Sequence, residues 1–561
     1  MRLYPIWDIL HQGPYDSLVE TLLSARSLSP DDLNVGPEAV HPPELLADLP
    51  RAAERLARAC REGERIVVYG DYDADGVAAT TLLLDFFEHV GASCDYLLPD
   101  RHADGYGIKP AGVERAIEKG ADLIVTVDNG ISAHEAMAAI RGEGLDAVVI
   151  DHHQQHGELP PAHSVINPNR VDCPYPFKQL SGVGVAFKVL QALSEEFLSA
   201  GDRRRYLNDA LDLVALGTIA DVAPVLGENR VFIQRGLEVL ERTRRPGLRH
   251  LKAVAGYADK PLTTTAVGFY LGPRLNVAGR LDTADLALRL LRTDDDDEAA
   301  ALASRLNTLN SRRQQLQREA TREAEALVGP DELETDRILV LLGETWHLGI
   351  VGLLASKLAD LHSRPAVVCT EVRGDGTYTG SARSVPAYDL GAAIDDCSEY
   401  LTTYGGHPGA AGFSLHAEDF ERFRAALIDH ANARLTDGDL ASRLTVDLMI
   451  EPRDIALPSL EALARLEPFG TGHAVPVFAA PDCRVVSATR IGRGGDHLKM
   501  VLEVGGRNHT AVWWRQGPRV DQVHPEQRVT AAFSLEEDTY GKRRALQLVV
   551  QDMCEDIATE E

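Results

Sequence analysis

The chain has 561 residues, 44% of them hydrophobic and 25% charged, the balance of an ordinary soluble protein of roughly three or four domains. Its formal net charge of −28 argues against bulk attraction to nucleic acid, yet it excludes no such partner, because affinity follows the local field and the phosphate contacts. Seven cysteines without a CxxC pair argue against a disulfide framework or a zinc ribbon and fit a reducing cytoplasm.

Residues 1–60 read as a helical extension, with a break at Pro42-Pro43 and an amphipathic segment over 50–61. The first ten lack the basic start and apolar core of a signal peptide. Apolar runs at 65–70, 94–98, 122–127 and 146–150 then alternate with helical patterns at 77–90, 110–119 and 132–141. That alternation predicts a doubly wound parallel sheet, whose ligands bind beyond the carboxyl ends of the strands. Asp71, Asp73, Asp75, Asp128 and Asp151-His152-His153 all fall there. Helices are expected at 182–198 and 206–220, and the most apolar stretch, 211–226, is interrupted by Asp212 and Asp221, so no membrane span is expected.

One long helix is predicted over 294–328, with Leu302, Leu309 and Leu316 on one seam and Leu306, Ala320 and Leu327 on the other. We read it as a strut of about 50 Å between two lobes, because another α/β unit follows. That unit has strands at 337–342 and 365–369 and a helix at 350–361, and it contains the glycine-rich run 405–412. Short strands beyond 445 predict a small β-barrel, with a basic hairpin at 538–544 and an acidic tail over 555–561. Alternation requires one of Trp513 and Trp514 to face inward. The expected divisions are an extension to 60, a catalytic domain over 61–290, a connecting helix over 291–330, a second α/β domain over 331–440 and a barrel over 441–561.

The chemistry starts at Gly70-Asp71-Tyr72-Asp73-Ala74-Asp75-Gly76, between a strand and a helix. Three carboxylates so close repel one another unless a cation joins them. A calcium loop would close on Glu at its twelfth position, and Leu82 stands there instead. Taken singly, Asp128 could be a helix cap and the two histidines polar surface, while Asp221 lies in an apolar run where a lone carboxylate needs a partner. Together these motifs supply six carboxylates and an imidazole, a donor set for two divalent ions such as manganese or magnesium. Arg101, Arg274, Arg280 and Arg383 suit bidentate phosphate contacts, or are structural ion-pair arginines. The glycines of 405–412 permit close backbone approach to a phosphate or sugar, or simply make turns.

Asp71-Tyr72-Asp73-Ala74-Asp75-Gly76, Val127-Asp128-Asn129-Gly130, Asp151-His152-His153 and Ala220-Asp221-Val222 resemble the four ordered motifs of the DHH phosphoesterase superfamily. Asp104-Gly105-Tyr106-Gly107, Gly272-Pro273-Arg274-Leu275-Asn276, Gly279-Arg280, Gly380-Ser381-Ala382-Arg383 and Gly405-Gly406-His407 extend the likeness to its RecJ branch of single-stranded-DNA exonucleases, from about residue 65 to the C-terminus. The resemblance implies that Asp71, Asp73 and Asp128 hold one manganese, and Asp75, Asp128, His152 and Asp221 a second, with Asp128 shared. It implies that Asp151 orients His152, that His153 donates to the scissile phosphate, and that no covalent intermediate forms. Arg101, Arg274, Asn276, Arg280, Ser381, Arg383, Gly405, Gly406 and His407 become substrate-binding candidates, the last three in a DHH-associated domain, and the barrel becomes an OB fold.

The activity implied is metal-dependent 5′→3′ hydrolysis of single-stranded DNA to mononucleotides, in recombination and repair, by a cytoplasmic monomer working with a RecQ-like helicase and a single-strand-binding protein. Two alternatives stand beside it. A DHH phosphatase or short-oligonucleotide hydrolase needs only the two α/β lobes, so the strut and barrel count against it. A non-catalytic replication-fork component would be favoured by lost metal ligands, and none is lost.

Overall fold

The computed structural model describes residues 2–33, 36–101, 104–372, 374, 376–538 and 544–555. The chain opens with a strand, β1 (Ile6–Ile9), and the helix Leu18–Ala25, before the amphipathic helix Leu49–Glu62. A parallel sheet follows, made of β2 (Ile66–Tyr69), β3 (Cys94–Leu97), β4 (Leu123–Val127), β5 (Asp146–Ile150) and β6 (Ser164–Ile166), in the order β3-β2-β4-β5-β6. Every residue of β2 and β4 is buried, because helices cover both faces, and so these runs are nearly all apolar where a one-sided strand would alternate. Ala74–His89, Gly182–Phe197 and Ala200–Ala220 pack on one face, and Pro110–Glu118 and His134–Gly142 on the other.

The strut is a single helix, Asp296–Leu327, whose N-cap Asp295 accepts the backbone N–H of Glu298 at 2.9 Å. Leu302, Ala303 and Leu306 sit in the core of the parallel-sheet domain, while Ala320 and Ala324 sit in the core of the next unit, so one helix serves two lobes. That next unit contains β7 (Leu339–Leu342), the helix Leu348–His362, β8 (Ala366–Glu371), β9 (Thr377–Arg383), β10 (Thr403–His407) and β11 (Ala410–His416). Its sheet runs β10-β11-β9-β8-β7, and only β7 and β8 are parallel. The glycine run is therefore a hairpin and not a loop, with Gly405 paired to Gly412 and His407 to Ala410.

After β12 (Arg443–Val446) and β13 (Leu448–Met449), strands β14 (Phe478–Ile491), β15 (His497–Val504), β16 (Arg507–Trp513), β17 (Arg528–Glu537) and β18 (Leu546–Cys554) form a barrel closed by pairing of β14 with β17. The first residues belong with it, contrary to the helical reading. Strand β1 pairs in parallel with β12, Trp7 Nε1 donates to Asp552 at 2.9 Å, and Leu18, Leu22 and Leu23 enter the barrel core. The partner strand lies at the other end of the chain, so local periodicity carries no trace of this pairing. The basic hairpin and the acidic tail fall largely outside the described residues.

Of the two tryptophans, Trp513 is 2% exposed and Trp514 41%. Trp513→Ala is expected to destabilise the barrel by about 3–5 kcal/mol in chemical denaturation, and Trp514→Ala by under about 1 kcal/mol.

Candidate metal centre

The carboxylates converge because the strands end together. Asp73 caps the helix Ala74–His89, accepting the N–H groups of Asp75 at 2.9 Å and Gly76 at 3.1 Å. A Cβ on Gly76 would lie 2.8 Å from the Asp71 backbone, so only glycine lets this turn close. Asp75 points the other way, accepting from Gly182 at 2.7 Å and Val183 at 3.0 Å at the start of another helix. Asp128 ends β4 with φ at +62°, a left-handed conformation that costs energy outside glycine and clusters at functional sites. Asp221 caps the C-terminal end of Ala200–Ala220. Gly182 and Gly217 leave room for these groups: a Cβ on the first would overlap the Asp128 carboxylate, and one on the second would sit 2.7 Å from Asp75 Oδ1.

Three groups result, each offering ligand atoms within 4.8 Å of one another: Asp71, Asp73 and Asp128; Asp75, His152 and Asp221; and Asp128, His152 and His153. Asp128 joins the first set to the third. Asp71 Oδ1 and Asp128 Oδ1 are buried and have no hydrogen-bond partner among the described residues. His152 Nε2 comes within 3.1 Å of Asp128 Oδ1 without hydrogen-bond geometry, as two donors to one ion do. Orphaned buried carboxylate oxygens are costly, and divalent cations with oxygen and imidazole ligands fit them.

The electrostatics agree. Burial first, and then repulsion from Asp73, holds Asp71 well above the usual carboxylate range; burial, Asp75 and Asp73 do the same to Asp128. Burial lifts Asp75 to about 6 and Asp221 to about 8, with His152 easing both. Such raised values stabilise the metal-free fold at low pH and lose that stabilisation as pH rises, so its stability should fall from about pH 4 to about pH 8. Cations remove the repulsion. The rise in Tm on adding manganese is therefore expected to be larger at pH 8 than at pH 5.5, as differential scanning fluorimetry would record.

Asp151 is different. Burial alone would raise it, but its Oδ1 lies 2.7 Å from His153 Nδ1 and its Oδ2 accepts from Ile131 N at 2.8 Å, which together hold it below the usual range. It orients the ring of His153, and not that of His152 as the sequence reading has it. Tyr106 donates its hydroxyl to the Asp128 carbonyl at 3.0 Å, and its ring packs edge-on to His153 with centroids 5.4 Å apart.

Above this floor lies a basic cleft. Arg101 sits over the Tyr72 ring at 5.0 Å. Burial, then Arg101 and Arg313, push Arg280 down to about 9, which leaves it charged at neutral pH. Arg383 is lowered by burial and Arg101, and it donates to Ser381 Oγ at 3.1 Å. Burial, Arg383 and His153 together lower His407, the last residue of β10. A Cβ on Gly405 would meet nothing within 4 Å, so that strand is open. Mutually repelling guanidiniums of this kind attract phosphate.

Family models match the chain in three places: "DHH family, N-terminal domain" over residues 65–218, "DHHA1 domain" over 335–433 and "RecJ OB domain" over 446–552. The single-stranded-DNA-specific exonuclease RecJ of Escherichia coli is 35% identical over 96% of this chain and 95% of its own length. The chain belongs to the RecJ family. The RecJ exonuclease of Bacillus subtilis is 36% identical over 89% of this chain, which spans 62% of that relative. A crystal structure of RecJ from Thermus thermophilus in complex with Mn2+ matches with a TM-score of 0.80 at 31% identity, covering 98% of this chain and 79% of that one.

Within this RecJ-family fold two residues read differently from the sequence. Asn276 Oδ1 accepts the backbone N–H of Ala74 at 2.7 Å, so it braces the carboxylate turn. Arg313, which sequence reasoning missed, lies on the strut among the cleft arginines; burial and Arg274 lower its pKa. Its signal was present. It stands seven residues after Leu306 and seven before Ala320, on a seam that should be apolar.

Proposed function

We infer that this protein is a metal-dependent exonuclease that removes mononucleotides from single-stranded DNA in the 5′→3′ direction. The observation that carries it is the run of three ligand sets linked through Asp128 and His152, with two orphaned carboxylate oxygens, beneath an arginine-lined cleft. Asp71, Asp73 and Asp128 would hold one divalent cation, manganese or magnesium, and Asp75, Asp128, His152 and Asp221 the other. Bound there, such ions neutralise charge on a phosphodiester and make water acidic enough to serve as nucleophile. His153, fixed by Asp151, donates a hydrogen bond to the scissile phosphate. Arg101, Arg274, Arg280 and Arg383 hold phosphates of the strand, and Gly405, Gly406, His407 and Ser381 form the opposite wall. No side chain needs to attack, so no covalent intermediate forms.

On this reading the catalytic domain comprises residues 61–290, the connecting helix 291–330, the substrate domain 331–440 and the barrel 441–561. No described helix is long and apolar enough to cross a membrane. The enzyme works as a cytoplasmic monomer in recombination and repair, on single strands exposed by a helicase and coated by a single-strand-binding protein. The test uses manganese and single strands labelled at either end, beside a duplex and a small bisphosphate nucleotide. Stepwise loss from the 5′ end of the single strand alone is expected. Turnover of the bisphosphate alone, or loss from the 3′ end, would overturn the assignment.

A further inference from the structure

One exposed surface is left unused by the metal centre and the cleft. The segment Val267–Leu271 is a π-helical turn, a rare geometry that concentrates at functional sites. It buries Val267 and Leu271 and leaves Phe269 76% and Tyr270 43% exposed. Its position is fixed: Cβ atoms on Gly268 and Gly272 would lie 3.6 Å from Ile219 and 3.1 Å from Ala220, the two residues before Asp221. The turn therefore lies across the end of the helix that delivers a metal ligand. The Tyr270 ring is 5.2 Å from that of Tyr257, which carries the Lys260 ammonium at 5.5 Å.

Cations border the aromatics on the cleft side. Arg274 donates to the Tyr270 carbonyl at 2.6 Å and to Asn307 at 3.1 Å, and Arg313 donates to Asn310 at 3.1 Å and Gln317 at 3.3 Å. These hydrogen bonds run to carbonyl and amide oxygens, none of which neutralises a guanidinium. Flat apolar faces beside unneutralised guanidiniums are the pattern that holds unpaired nucleic-acid strands, since every base has a π-face. A duplex keeps its base faces stacked inside and cannot use such a surface.

We propose that Phe269 and Tyr270 form a stacking platform for bases of the single strand beyond the cleavage site, with Arg274 and Arg313 holding the phosphates alongside. The proposal rests on the exonuclease reading for the identity of the strand. It makes the platform indifferent to sequence and selective for unpaired bases.

Oligonucleotides carrying 2-aminopurine at successive positions from the 5′ end, bound in EDTA so that nothing is cleaved, test this directly. The wild-type protein is expected to quench or shift the fluorophore at adjacent positions within the strand. Phe269→Ala should abolish that change and weaken binding by about tenfold, with Tyr270→Ala acting in the same direction. Phe269→Leu, which keeps an apolar side chain, should also lose the signal. An abasic residue at the responsive position should weaken wild-type binding and leave Phe269→Ala unaffected. With manganese, a trinucleotide should be hydrolysed by Phe269→Ala at the wild-type kcat. Equal fluorescence and equal affinity in the wild type and Phe269→Ala would overturn the platform. Failure of the wild type to degrade single strands with manganese would overturn the exonuclease reading instead, because the platform is judged by metal-free binding.

Discussion

Replacing Asp128 with Asn is expected to lower kcat on single-stranded DNA by at least about a thousandfold, the rate equivalent of losing several kcal/mol of Lewis-acid stabilisation. It belongs to two of the three ligand groups and lies 3.1 Å from His152, a member of the remaining one, so no neighbour replaces it. The substitution keeps the volume beside Gly182 and removes a buried charge that burial, Asp75 and Asp73 make costly. Metal-free Asp128→Asn should therefore unfold at the same temperature as the wild type or higher, while gaining little from manganese. That combination separates a ligand from a structural residue, because a damaged fold would lower both Tm values.

His153→Ala is the second large effect. It should cost about a hundred- to a thousandfold in kcat, the range for removing one donor aimed at developing charge. Metal-induced stabilisation should be nearly unchanged, because Asp128 and His152 remain. Asp151→Asn should fall between wild type and His153→Ala, since it loosens the ring through the 2.7 Å contact and touches no phosphate itself. Equal manganese affinity with unequal kcat across these variants is the measurement, made by titration and single-turnover kinetics.

Much of this was legible in the sequence because parallel sheets put strand ends on one edge. Asp71, Asp128 and Asp151 each follow a buried strand, so placing the strands placed the carboxylates. The long helix was legible through its seven-residue spacing. What escaped depended on contacts distant in sequence. Strand β1 pairs with β12, more than 400 residues away, and four residues of alternation cannot announce that. The Asn276 brace joins residues 202 apart. Glycine-rich runs such as 405–412 lack the side chains by which strands are read, so the pairing of β10 with β11 leaves no pattern there. The partner of Asp151 was misread for a different reason: adjacent histidines differ only in which way each ring turns, and the backbone N–H groups of both already bind Asp151.

The left-handed backbone at Asp128 and at Val222, which follows Asp221, ties the ligands to local strain. A β-branched residue at φ +62° is unfavourable by itself, so the surrounding packing must hold it there. Two of the residues that frame the centre are thus kept in place by the fold and not by local preference. Glycines stand at 182 and 217, where a Cβ would crowd the carboxylates of Asp128 and Asp75.

The central claim is that Asp128 is the common wall of two cation sites. Counting manganese by equilibrium dialysis in the wild type and three variants tests it most directly. The wild type should bind two ions per chain, Asp73→Asn should weaken one, Asp221→Asn should weaken the other, and Asp128→Asn should weaken both. Retention of one tightly bound ion by Asp128→Asn would contradict the account.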